Sequence, residues 1–267
     1  MIHLIYSLAI DPVVQAARSA EFRSEINFIS IRELHSHFME HNTVHSLDKA
    51  MILDRCGDGW DISSQEGLLD RDVAYKDLNA LFTSYFCQMH RSKKILSTMF
   101  HLGTPWNPNR LPAQWALIQN HCLSLQTPEY FEGDRTEIPE GSDLVFSHPN
   151  NLYNWKVAEL TDDAQQVFCF RRPPGEALVI ARAYDQYAFF KSNGEVVSDL
   201  QQEALHRISQ QLETIIPFDF GEILLFSHAG EYTFGMFSNY ALLSGQFPLF
   251  QNLLRKKLQD LVERTIL

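Results

Sequence analysis

The alternation of apolar and polar positions divides the chain into two styles of folding. In the first half short strands alternate with helices. His3–Ala9 reads as a strand, Pro12–Ser19 as a helix and Ile26–Ser30 as a second strand. A helix is expected from Ile31, and "AMILDR", Ala50–Arg55, gives another strand. Strands separated by single helices predict a parallel sheet with crossover connections, so His3–Ala9 and Ile26–Ser30 should be parallel neighbours. "VAYKDLNALFTSYFCQMHRS" carries apolar residues at helical spacing and reads as one long amphipathic helix. A further helix is expected from about Pro112, where proline suits a first turn.

The second half is richer in strands. "DLVFSHP" and "QVFCFRR" read as strands, and "EALVIARAYDQYAFFKSNG" as a strand pair turning at Tyr184-Asp185. "SDLQQEALHRISQQLETI" is a helix with Ser198 or Asp199 at its N-cap. "PFDFGEILLFSHAGEYTFGMFSN", Pro217–Asn239, has the form of a hairpin, and a last helix ends in "VERTI". The acidic, Gly- and Pro-bearing stretch "EGDRTEIPEGSD" reads as a loop and as the boundary between the two halves.

Composition narrows the function classes. A hydrophobic content of 45% with 21% charged residues is that of a globular chain able to bury a core. The net charge of −11 argues against a binder of nucleic-acid backbone, which needs clustered Lys and Arg. No apolar run approaches the ~20 residues of a membrane span. The opening "MIHLIYSLAI" reads as a first strand rather than a signal peptide, so the expected location is the cytoplasm. Cys56, Cys87, Cys122 and Cys169 form no C-x-x-C pair and are expected as buried free thiols.

Several small constellations carry chemistry only loosely. His37, His41 and His45 share a helix face at i, i+4, i+8, a spacing that can chelate zinc, but Asn42, Thr43 and Val44 are poor helix formers and a solvated cluster is the plainer reading. Arg171 and Arg172, before Pro-Pro-Gly, could meet a phosphate or carboxylate, or simply face acidic neighbours. "GDGWD" lacks the spacing of a calcium loop, and no nucleophile elbow, dinucleotide fingerprint or P-loop is present.

Five strings in order resemble the ATP-grasp family, in the branch that ligates amino acids or modifies peptides. "AMILDR" resembles the family strand that ends in arginine. "NPNRLPAQWALIQNHCLSLQTPEY" resembles the helix leading to a turn between lobes, and "LVFSHP" the strand that usually supplies a phosphate-binding lysine. "QVFCFRRPPGEALVIARAYDQYAFF" is similar to the strand beside adenine and the pair that follows, and "LETIIPFDFGEILLFSHAGEYTFGMFSNYALLSG" to the metal-binding hairpin. The resemblance implies an α/β and α+β fold: a parallel N-terminal lobe over residues 1–100, a middle lobe over 101–175, and a sheet-and-helix lobe over 176–267, with a cleft between lobes. It implies Phe168, Cys169, Phe170 and Arg171 on the adenine side, and Arg55, Arg110 and Arg172 as candidates for substrate.

The departures from the family pattern concern cations. A ligase of this kind makes an acyl phosphate, and such transfer rests on positioning and on neutralising charge, with Mg²⁺ held by one or two carboxylates. Here Leu224 stands at the usual Asp position, with Met236 and Ser238 at the usual Glu and Asn positions; a one-residue shift brings in Asn239 but no carboxylate. Thioether sulfur is a poor Mg²⁺ ligand. Ser147 or His148 and Gln114 stand where lysines are expected, with Lys156 near by. The residues thus suggest a degenerate, non-catalytic relative that binds no metal or nucleotide cofactor and acts as a partner or binding protein for a protein or small molecule. The alternative is an active ligase using ATP and Mg²⁺, with Glu222, Glu231, Asp219, Lys156, Arg171 and Arg172 as relocated groups. Leu224 and Met236 are expected side by side on the hairpin, with Phe226 on the face of Leu224 and with Phe234, Met236 and Ser238 sharing one face.

Overall fold

The computed structural model describes residues 2–6, 9–30, 33, 51–55, 95–96, 110–122, 124–141, 143–149, 151–157 and 166–266. The helix expected from Ile31, His37, His41 and His45, "GDGWD" and the long helix over 73–92 lie outside them. The chain divides into two compact units, residues 1–105 with 251–267, and residues 106–250.

The first unit is built on a parallel sheet of order β2-β1-β3-β4, from β1 (Ile2–Tyr6), β2 (Ile26–Ser30), β3 (Met51–Arg55) and β4 (Ile95–Leu96). β1 pairs in parallel with β3 on one side and with β2 on the other, the β1–β2 pairing being the one expected from a single crossover helix. β1 is buried over almost its whole length, as is usual for a central parallel strand. Between β1 and β2 lies α1 (Pro12–Arg18), started by Asp11, whose carboxylate accepts the Val13 N–H at 2.7 Å, and by Pro12 at its first position. Most of α4 (Pro248–Ile266) belongs to this unit and buries Leu254, Leu258 and Leu261 at helical spacing. Among the described residues no helix is long and apolar enough to cross a membrane.

The second unit holds two antiparallel sheets. One is β5-β7-β6, from β5 (Tyr130–Asp134), β7 (Gln166–Arg171) and β6 (Leu144–Phe146). The other is β11-β10-β8-β9, from β8 (Glu176–Ala183), β9 (Gln186–Lys191), β10 (Phe220–His228) and β11 (Glu231–Ser238). Among the described residues it also holds the α-helices α2 (Leu111–His121) and α3 (Asp199–Ile215). Ser198 begins α3 with a capping box, its N–H donating to Gln201 Oε1 at 3.3 Å. Leu205, Ile208 and Leu212 form the buried stripe of that helix.

One sequence expectation is overturned. The acidic stretch 132–143 does not separate halves, because its first three residues belong to β5, and β5 and the following β6 both pair with β7 in one sheet. β5 is an edge strand, largely exposed and carrying Gly133, so its residues look like loop residues.

Candidate functional site

The site is built on the β10–β11 hairpin. Its reversal is the two-residue turn Ala229-Gly230, with φ of 50° and 86°, the left-handed pair that matches the twist of a hairpin. The register places Leu224 opposite Met236, as expected, and Glu222 opposite Ser238. Between Leu224 and Leu225 the register shifts by one residue, because Gly235 is an extra residue in β11. The bulge corrects the expectation for Phe234. It stands opposite Leu225 while Met236 stands opposite Leu224, so Phe234 and Met236 lie on opposite faces.

Tyr153 and Trp155 lie on the face that carries Glu222, Leu224, Phe226, Met236 and Ser238. The Tyr153 hydroxyl donates to Glu222 Oε1 at 2.9 Å, and the Trp155 ring lies 5.0 Å from that of Phe226. Leu224 is 4% exposed and Met236 is 0% exposed. Leu224 and Met236 are therefore a closed apolar pair.

Glu222, on this face, is 0% exposed and wholly engaged. Its Oε1 accepts from the Tyr153 hydroxyl and from the Leu243 N–H at 2.9 Å. Its Oε2 accepts from the Ser244 N–H and the Ser244 hydroxyl, each at 2.7 Å. The carboxylate thus ties down the turn after β11, in which Ala241 holds a left-handed φ of 50° that alanine adopts only at a cost. Burial pushes the Glu222 carboxyl above the usual range, against the pull of its four donors. The Tyr153 phenol is pushed well up, first by burial and then by the Glu222 charge, so it stays a donor.

The edge of β11 is covered by groups from a distant part of the chain. The Gln114 side chain, on α2, donates from Nε2 to the Phe237 carbonyl at 2.9 Å and accepts the Phe237 N–H at 2.7 Å. Beside it, Trp115 Nε1 donates to the Gly235 carbonyl at 2.7 Å. Gln126 continues the cover, accepting from the Phe234 N–H and donating to the Tyr232 carbonyl. Gln114 thus acts as a substitute strand residue.

The other expected site residues are distributed around the sheets. On β7, Phe168 and Phe170 point to one face and join Trp115, Tyr130 and Trp155 in an aromatic cluster. Cys169 points the other way and, like Cys122, is a buried free thiol, its pKa raised by burial. Arg171 donates to Asp143 at 2.7 Å and to the Glu140 carbonyl at 2.9 Å, and lies 3.3 Å from Glu129. Arg172 and Lys156 are exposed. Arg110 pairs with Glu132, and Glu231 accepts from Gln126 at 2.9 Å. Arg55 closes β3 opposite Tyr6, at the carboxyl end of the parallel sheet, while the Ser147 hydroxyl donates to the His148 carbonyl at 3.3 Å. Among the described residues no three His, Cys, Asp or Glu converge as metal ligands.

Sequence reasoning missed Tyr153, Trp155 and Ser244. The only local signal for the first two is a pair of aromatics in the otherwise polar "NNLYNWK".

No protein-family profile matches the sequence, and no curated protein matches it either. Solved structures do. The ATP-grasp ligase PsnB, in complex with precursor peptide PsnA2 and AMPPNP, superposes with a TM-score of 0.60 at 12% identity, over 97% of this chain and 96% of that one. D-alanine–D-alanine ligase from Bacillus anthracis with ATP gives 0.59 at 10% identity, over 99% and 96%. The macrocyclase MdnC from Microcystis aeruginosa, bound to precursor peptide MdnA, gives 0.58 at 12%, over 97% and 100%. The chain has the ATP-grasp fold.

Proposed function

We propose that this chain is an ATP-grasp-fold protein that does not itself ligate, and that serves as a partner or binding protein for a peptide or small molecule in a modification pathway. The observation that carries the reading is the Leu224–Met236 pair, apolar and buried, with Glu222 beside it already accepting from four protein donors. A hydrated dication needs hard oxygen ligands, and an apolar closed pair offers none. Gln114, which stands where a lysine is expected, has its amide on the Phe237 backbone instead.

Two observations support retained binding. PsnB and MdnC were solved with precursor peptides, which makes a peptide the first partner to try. In the first unit β1 is flanked by β2 on one side and β3 on the other, which makes the β1–β3 junction a topological switch point. Open α/β sheets bind ligands outside the carboxyl ends of their strands at such points, and Arg55 ends β3 there. An anionic group on the partner is therefore part of the proposal, as are the three lobes and Arg110 and Arg172 as accessory cations.

Calorimetric titration with ATP and Mg²⁺ tests the reading. No heat and no rise in melting temperature are expected. Magnesium-dependent binding in the micromolar range, or ADP release with a pool of amino acids and peptides, overturns it.

A further inference from the structure

We infer that Asn193, in the turn after β9, is a site of spontaneous modification: its side-chain amide becomes a carboxyl through a cyclic imide formed with Gly194, and the isoaspartyl product releases the turn from Phe247. Asn193-Gly194 is the one Asn-Gly pair in the chain, and every other asparagine is followed by a residue with a side chain. A side chain at the following position shields the amide nitrogen that must attack, whereas glycine gives no such cover and moves more freely. Asn193 is itself exposed, so water and hydroxide reach it.

The turn brings the reacting groups together. The Gly194 N–H donates to the Lys191 carbonyl at 2.9 Å, and the Lys191 N–H to the Glu195 carbonyl at 2.8 Å, with Gly194 at a φ of 90°. This is a three-residue hairpin loop closed by a bulge, a form that needs the left-handed conformation glycine supplies. Asn193 Oδ1 accepts the Glu195 N–H at 3.0 Å. When the Gly194 nitrogen adds to the side-chain carbonyl carbon, negative charge develops on that oxygen, and a donor already in place stabilises it. The attack needs the Gly194 N–H to leave the Lys191 carbonyl, so the reaction proceeds from a locally opened turn.

The chemistry balances with water as the only other reactant. A bond forms between the Gly194 nitrogen and Asn193 Cγ, the Gly194 nitrogen gives up its proton, and the bond from Cγ to the amide nitrogen breaks, so that ammonia leaves. Water then opens the imide at either carbonyl, giving aspartate or isoaspartate. In isoaspartate the main chain runs through the side-chain carbonyl, which inserts one methylene between residues 193 and 194. The lengthened loop loses the spacing on which its two backbone bonds depend. Gly194 is also packed tightly, since a Cβ there would meet Phe247 Cδ1 at 2.8 Å. Its displacement removes a wall from the Phe247 ring, which lies 5.2 Å from the ring of buried Phe190.

This inference stands apart from whether the chain binds ATP or ligates. The full chain is aged at mildly alkaline pH, as parent and Phe247→Leu, and digested with trypsin; the peptide 192–207 carries Asn193 as its only asparagine. Mass spectrometry should show Asn193 converting from amide to acid ahead of every other asparagine, with isoaspartate among the products. The aged parent should melt below freshly prepared Asn193→Asp, which has the new charge without the extra methylene. Phe247→Leu should convert several-fold faster, because without the ring the turn opens more often. Conversion at Asn193 no faster than elsewhere overturns the inference. Aged chain as stable as Asn193→Asp, or a rate unchanged in Phe247→Leu, overturns the link to Phe247. Should Phe247→Leu not fold, the aged parent against Asn193→Asp decides in the same two directions.

Discussion

Replacing Glu222 by glutamine tests whether a buried carboxylate holds the turn after β11. The amide has nearly the shape of the carboxylate but brings two donors of its own. Turned one way, its NH₂ faces the Leu243 N–H; turned the other way, it faces the Ser244 N–H. The Tyr153 and Ser244 hydroxyls can rotate to accept, but a backbone N–H cannot. One buried donor is orphaned in either orientation, at about 1–3 kcal/mol, and the surviving bonds lose the roughly twofold strength that charge gives them. Against this, the variant no longer buries a charge, which returns part of the loss. The net expectation is a destabilisation of about 2 kcal/mol, or a fall in Tm of roughly 4–8 °C for a chain of this size. Urea or thermal unfolding of parent and Glu222→Gln at neutral pH measures it.

The pH dependence gives a second check on the same group. The folded state holds the Glu222 proton more tightly than the unfolded chain, whose ordinary value is 4.5. Its contribution is full below that value and is lost as pH rises through the higher folded pKa. The deficit of the variant should therefore widen as pH is lowered from neutral toward that value. A variant as stable as the parent at neutral pH would show that burial of the charge cancels the four donors. A deficit that narrows on acidification would refute the direction of the shift.

The hairpin itself yields a second prediction: Leu224→Asp combined with Met236→Glu buries two unpaired carboxyls and should lower the urea midpoint in metal-free buffer, whereas parental stability would mean that water reaches the pair. Gln114→Leu leaves the Phe237 N–H and C=O without their amide partner and should cost about 1–3 kcal/mol, read as a lower midpoint at unchanged slope; an unchanged midpoint would mean that water replaces the amide. Tyr187 donates to Glu213 at 3.1 Å beside Arg182, and burial, ahead of the charges, pushes its pKa up to about 12. A phenol that holds its proton more tightly when folded leaves stability intact below its ordinary value of 10.0 and loses it as pH rises through about 12. Phenolate absorbance should show Tyr187 titrating late alongside Tyr153, and the loss of one late-titrating phenol in Tyr187→Phe identifies it.

What the sequence determined by itself is what depends on neighbours in the chain. The parallel pairing of β1 and β2 follows from one short crossover helix, and the hairpin from Ala229-Gly230 between apolar strands, with Leu224 and Met236 side by side. Tertiary structure decided what depends on partners far along the chain. Glu222 reads as a spare metal ligand until the turn 21–22 residues later donates two N–H groups to it. Gln114 reads as a missing lysine until its amide meets the Phe237 backbone, 123 residues away. The bulge at Gly235 turns Phe234 to the opposite face because a period-two pattern breaks at an inserted residue, for which the isolated glycine is the local mark and the pairing with β10 the deciding fact. β5 is a strand because β7 offers it an edge; its own residues, polar and exposed, carry too little apolar pattern to announce one. Local periodicity is written in side-chain polarity, whereas a hydrogen bond across the fold is settled only when packing brings donor and acceptor together and leaves neither an alternative in water.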